Sequence, residues 1–138
     1  MTFELLEIPG LTIPSAAKWQ VRLLARGEGD LELIKLLTKW QKQYPNDYRK
    51  IISSIKIAAQ VLRVYDHKRV KKCDDPKLGD IYEFIAYTGP IRLMFFYEST
   101  ENQFIICTNG YEKGGPQDRA FITCHNLMVE YFKFKTAK

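Results

Sequence analysis

No stretch of the 138-residue sequence is apolar over the ~20 residues that a helix needs to span a bilayer. The first ten residues, MTFELLEIPG, lack the basic-then-apolar layout of a secretory leader, so the expected location is the cytoplasm. Cysteine is scarce: Cys73, Cys107 and Cys124 are odd in number, far apart and form no C-x-x-C pair. That excludes a disulfide framework and leaves buried thiols as the expectation. The only histidines are His67 and His125, and on a helix His125 would point about 100° away from Cys124. Ligands are thus too few and too badly spaced for a closed zinc site, and neither a metal nor a cofactor is expected. Internal repeats and low-complexity tracts are absent as well.

What is present is ordinary for a globular chain: 46% hydrophobic and 27% charged residues exclude wholesale disorder and predict one core. The net charge of +5 is unevenly spread. Residues 1–30 carry three basic and four acidic groups, residues 31–80 twelve against six, and residues 81–138 six of each. A basic central segment favours an acidic partner such as nucleic acid.

Residues 1–16, with Pro9, Gly10 and Pro14, read as an arm or short edge strand added to a domain spanning 17–138. Trp19, Val21, Leu23 and Ala25 alternate with Gln20, Arg22 and Arg26, the period of a strand. Asp30 is placed to cap a helix in which Leu33, Ile34, Leu37 and Trp40 form one face and Lys35, Lys39 and Lys42 the other. A turn at Tyr44–Asp47 leads to a second helix running to about Arg63, and so short a connection predicts an antiparallel hairpin. A charged connection, 66–77, follows. Period-two segments at 81–87, 91–98 and 103–109 predict a three-stranded meander, and Pro116 opens a last helix through Phe132. The expected fold is α+β, with an N-terminal strand and helix hairpin on an antiparallel sheet, closed by a C-terminal helix.

Symmetric closure of the two meander turns would set Glu83 opposite Met94, Ile85 opposite Arg92, Arg92 opposite Asn109 and Met94 opposite Cys107. One face then holds Tyr82, Phe84, Ile91, Leu93, Phe95, Tyr97, Phe104 and Ile106 as core. The other gathers Glu83, Arg92, Asn109, Tyr111 and Lys113, joined by Arg22 and Arg26. Taken alone, Glu83 and Arg92 also suit a solvated cross-strand ion pair.

Two stretches carry a resemblance. Leu78-Gly79-Asp80-Ile81-Tyr82-Glu83-Phe84 followed by Gly89-Pro90-Ile91-Arg92-Leu93-Met94-Phe95-Phe96 is similar to paired motifs of the RelE/HigB-type toxins, especially their phage-derived branch. The segment Phe104–Pro116, with Gly110-Tyr111-Glu112-Lys113-Gly114-Gly115, resembles that family's last strand and its glycine-aromatic-x-Lys stretch. Two positions depart from the pattern: Ile91 stands where an aromatic precedes the arginine, and Glu112 where a first basic residue is usual.

The resemblance implies an endoribonuclease of a toxin–antitoxin pair that cuts mRNA, commonly on the ribosome, and is neutralised by a protein antitoxin. It implies metal-independent attack by the ribose 2′-hydroxyl, leaving a 2′,3′-cyclic phosphate. In that reading Arg92 clamps the scissile phosphate, Lys113 stabilises developing charge, Tyr111 stacks or assists proton transfer, and Glu83 orients Arg92 or acts as base. Arg22, Arg26, Lys35, Lys39, Lys42, Lys71, Lys72 and Asn109 would contact RNA. The alternative is a non-catalytic RNA- or protein-binding module on the same scaffold.

Overall fold

The computed structural model describes residues 2–62, 68–86 and 89–137. The expected end of the second helix at Arg63, the histidine His67 and the first half of the turn at 87–90 lie outside those residues. The chain is α+β, and its six-stranded sheet has the order β1-β2-β6-β5-β4-β3. The strands are β1 (Phe3–Leu6), β2 (Gln20–Arg26), β3 (Val70–Lys72), β4 (Ile81–Ile85), β5 (Ile91–Glu98) and β6 (Phe104–Glu112). Three helices complete it: α1 (Glu32–Gln43), α2 (Pro45–Gln60) and α3 (Gln117–Thr136). The sheet is antiparallel except where β2 runs parallel to β6, a pairing that the intervening helix hairpin makes possible.

Local chemistry sets the boundaries. Gly27 and Gly29 take positive φ, and the Asp30 carboxylate accepts the Arg26 and Glu32 amides, so one side chain closes the turn that leads into α1, while Leu31, not Asp30, holds the N-cap position. Tyr44 alone separates α1 from α2, which Pro45 opens. Residues 1–16 are joined to the sheet: β1 pairs antiparallel with β2, and Ile8, Leu11 and Ile13 pack against the main core.

That core lies between one sheet face and the α1–α2 hairpin. Trp19, just before β2, and Val21 and Leu23 of β2 meet Leu37 and Trp40 of α1 and Ile51 and Ile55 of α2 there. The phenyl rings of Phe84 and Phe95 stack with centroids 4.1 Å apart. The opposite face is also covered. Helix α3 packs over Phe96 and Ile106 with Leu127 and Tyr131, and over Ile81 and Met94 with Ala120 and Cys124. The expected open polar face is therefore the floor of a second core, and only its end beyond the first turns of α3 stays polar.

Three further expectations are corrected. The connection before β4 contains the edge strand β3, because Val70 supplies a buried side chain between charged neighbours. The loop joining β5 to β6 is one residue longer than symmetric closure assumes: Glu98 pairs with Phe104 and Phe95 with Cys107. A one-residue slip exchanges faces, so Ile105 and Cys107 enter the main core while Phe104 and Ile106 turn toward α3. A bulge at Thr108-Asn109 then shifts the register again, and Arg92 pairs with Tyr111 rather than Asn109. Two slips restore Tyr111 to the expected face, two residues closer to Arg92.

Candidate active site

Three buried polar side chains meet beside the first turns of α3: Glu83 from β4, Arg92 from β5 and Tyr111 from β6. Strand pairing alone brings them together, since Arg92 lies directly across from Tyr111 and diagonal to Glu83. The Tyr111 hydroxyl donates to the Glu83 carboxylate, at 3.2 Å from Oε1 and 3.1 Å from Oε2. Arg92 Nε stands 3.6 Å from Glu83 Oε1. Arg92 Nη1 donates to the carbonyls of Gly89 at 2.7 Å and Ile91 at 2.9 Å, which fixes the plane of the guanidinium. Its Nη2 takes no partner among the described residues. The three residues are 4%, 7% and 9% exposed, so the cluster is nearly dry.

Burial sets the electrostatics. It raises the proton affinity of Glu83 above the ordinary glutamate value, while the Tyr111 hydroxyl and the charges of Arg92 and Lys71 pull it back. Burial and then the Glu83 charge push the Tyr111 phenol up, so it remains a hydrogen donor at neutral pH. A carboxylate that takes a proton more readily than usual, beside a fixed cation, has the properties of a general base.

Of the three, Glu83 lines a cleft of 660 Å³ between the β3–β4 edge and α3, together with Lys71, Gln117 and Phe121, whereas Arg92 and Tyr111 lie behind it. Lys71 pairs with Glu83 across β3 and β4 and shares its face. Lys113 is exposed at the same end of the sheet, where its amide donates to Pro90 O at 2.5 Å. Glu112 points to the opposite face. Its carboxylate accepts the Tyr44 hydroxyl at 2.5 Å and pairs with Lys39 at 3.7 Å, so it is already engaged by α1 and the residue that follows it.

The other expected contacts are dispersed. Asn109 sits in the bulge and donates to Ala120 O at 3.1 Å, which ties β6 to α3 and corrects its place as a strand residue facing Arg92. Arg22 lies 5.2 Å from the Phe104 ring centre and 3.9 Å from Glu7, and Arg26 reaches Glu130 at 4.0 Å near the far end of α3. Lys35, Lys39 and Lys42 lie on α1, across the sheet from Arg92. Lys72 pairs with Asp80 at 3.1 Å. Among the described residues no group of three or more His, Cys, Asp or Glu is placed to hold a metal ion, and no helix is long and apolar enough to cross a membrane.

A second buried carboxylate was not expected. Glu98, fully buried, accepts the Tyr131 hydroxyl at 2.7 Å and the Lys135 ammonium. Its signal was in the sequence, because Glu98 is in phase with Met94 and Phe96 on a strand whose alternate positions are all apolar. Gln117 and Phe121 were also missed, since nothing before the fold is known aims the start of α3 at Glu83. Compared with protein-family models, with curated proteins and with solved structures, the chain matches none.

Proposed function

We propose that the chain is a toxin-type endoribonuclease that cuts mRNA in the cytoplasm, commonly on the ribosome, and is held in check by a protein antitoxin. The observation that carries this reading is the convergence of Glu83, Arg92 and Tyr111 beside a cleft that Glu83 lines, with Glu83 shifted toward the proton affinity of a base. Its element order of strand, helix hairpin, meander and C-terminal helix supports the RelE-like assignment, as do the motifs around Glu83, Arg92 and Lys113.

In this mechanism Glu83 takes the proton of the ribose 2′-hydroxyl as that oxygen attacks the adjacent phosphorus. The free Nη2 edge of Arg92 binds the non-bridging oxygens, whose charge grows in the transition state. The bond from phosphorus to the 5′-oxygen breaks, and the Lys113 ammonium protonates the departing oxygen. Products are a 2′,3′-cyclic phosphate and a 5′-hydroxyl. Tyr111 positions Glu83 through its hydroxyl, and its ring is too deeply buried to stack on a base.

A second reading rests on the burial of Arg92: a guanidinium already bonded to two carbonyls and a carboxylate suits a structural pair in a non-catalytic RNA- or protein-binding module. Controlled induction in a bacterial host, with primer extension on total mRNA, separates the two. The nuclease predicts growth arrest and new mRNA 5′ ends, both lost in Arg92→Ala that is shown to be soluble and folded. Normal growth with intact mRNA would leave the binding module.

A further inference from the structure

The cleft beside Glu83 offers more than a cradle for phosphate. Three lysines and four carboxylates line it, so basic groups alone do not define it. Its wall on the α3 side is apolar: Phe121 and Ile122 face it above Leu78, and Ile122 is 49% exposed at the mouth. The Phe121 ring is held edge-on to Tyr111, with centroids 6.2 Å apart. Asp118, exposed in the first turn of α3, lines the same space, as does Gln117. The volume, 660 Å³, lies within the range of about 300–1,000 Å³ typical of small-ligand sites.

We infer that this cleft seats an unpaired guanine base of the RNA. An aromatic wall takes the face of a base, and hydrogen-bonding groups at its margin read the edge. Asp118 presents two acceptor oxygens side by side. Guanine answers with N1–H and an N2 amino hydrogen, giving two charge-assisted bonds to one carboxylate. Adenine and cytosine each place a ring acceptor next to their amino group, and uracil flanks its N–H with two carbonyl oxygens, so each of them leaves one Asp118 oxygen facing an acceptor. Lys71, on the sheet side of the cleft, is placed for the phosphate joined to the seated nucleoside. Single-stranded RNA as the ligand class rests on the ribonuclease reading; selection of the base rests on the cleft.

Titration of the ¹⁵N-labelled protein with GMP, AMP, CMP and UMP tests the cleft without requiring cleavage. The expected result is a shift of the Lys71–Leu78 and Gln117–Ile122 amides with GMP at a Kd about tenfold or more below that for AMP, a preference lost in Asp118→Asn. IMP, which keeps N1–H but lacks the N2 amino group, should bind more weakly than GMP and more tightly than AMP. Equal binding of all four nucleotides, or shifts confined to other surfaces, would overturn the inference. Cleavage mapping keeps the two ideas separate. Cutting with no dependence on guanine sinks the base pocket and leaves the nuclease, whereas selective GMP binding by a protein that never cuts RNA sinks the nuclease and leaves the pocket.

Discussion

Trp40 of α1 occupies the space that a side chain at Gly110 would fill: a Cβ there would lie 2.4 Å from Trp40 Cη2, 2.9 Å from Leu36 Cδ2 and 3.0 Å from Arg92 O. The glycine of the Gly110-Tyr111 motif thus has a packing role, letting α1 close onto β6 while Tyr111 turns to the opposite face. Trp40 is fully buried and cannot swing into solvent without opening the main core. Gly110→Ala is expected to cost about 1–3 kcal/mol through overpacking. For 138 residues that lowers Tm by roughly 3–5 °C per kcal/mol, readable by circular dichroism. An unchanged melting curve would mean that the indole moves aside freely.

Folded Glu83 holds its proton more tightly than the unfolded chain does, because burial opposes its charge. Its contribution to stability is therefore complete below the ordinary glutamate pKa and is lost as pH rises through the raised folded value. Tyr111→Phe removes a hydrogen bond to the charged form and should move the Glu83 titration further up. Carboxyl ¹³C shifts followed against pH, with denaturant midpoints measured in parallel, check both statements. Glu83→Gln should abolish this part of the pH dependence. A Glu83 that titrates at the usual value in the wild type would remove the argument that it is poised as a base.

The first hairpin was legible from the sequence because Thr88-Gly89-Pro90 announces its turn, and the pairs Glu83–Met94 and Ile85–Arg92 stand as expected. The main core followed from periodicity alone, since Trp19, Val21, Leu23, Leu37 and Trp40 keep strict strand or helix spacing. Register in β6 was not legible. Nothing in Ser99–Gln103 says which residue begins the strand, and a bulge that exists to bond Asn109 to Ala120 depends on a helix not yet placed. The second core could have been read from Ile81, Met94 and Phe96, which share the phase of Glu83 and Arg92 and are too apolar for an open face. The cluster of Glu83, Arg92 and Tyr111 was legible as neighbours on one face. Its burial was not, because burial depends on where α3 crosses.

Glu98 anchors the far end of α3 as the Glu83 cluster lies against its beginning. With the carboxylate fully buried, each of its oxygens needs a partner, and Tyr131 and Lys135 supply them. Tyr131→Phe removes one donor at nearly constant volume and should cost about 1–3 kcal/mol. Hydrogen exchange in the last turns of α3 should accelerate more than exchange in α2. Equal acceleration throughout the chain would mean that the contact reports on global stability and does not pin the helix.

Glu112 decides whether the basic hairpin communicates with Lys113. Helices α1 and α2 carry six cations against two acids, yet they lie across the sheet from Arg92, so an RNA strand touching both must round the sheet end where Lys39, Tyr44, Glu112 and Lys113 gather. Glu112 neutralises Lys39 there. Glu112→Gln should release that lysine for a phosphate, tighten binding of a single-stranded oligonucleotide, and steepen the dependence of log K on log salt by about 0.7, the increment for one added contact. Tyr44, whose pKa is raised first by its hydrogen bond to Glu112, should titrate at lower pH in the variant. If affinity and salt slope stay unchanged while Tyr44 shifts, the variant has broken the contact and the RNA path does not pass over this end. If both move together, the acid at position 112 tunes an RNA track that leads from α1 to Arg92.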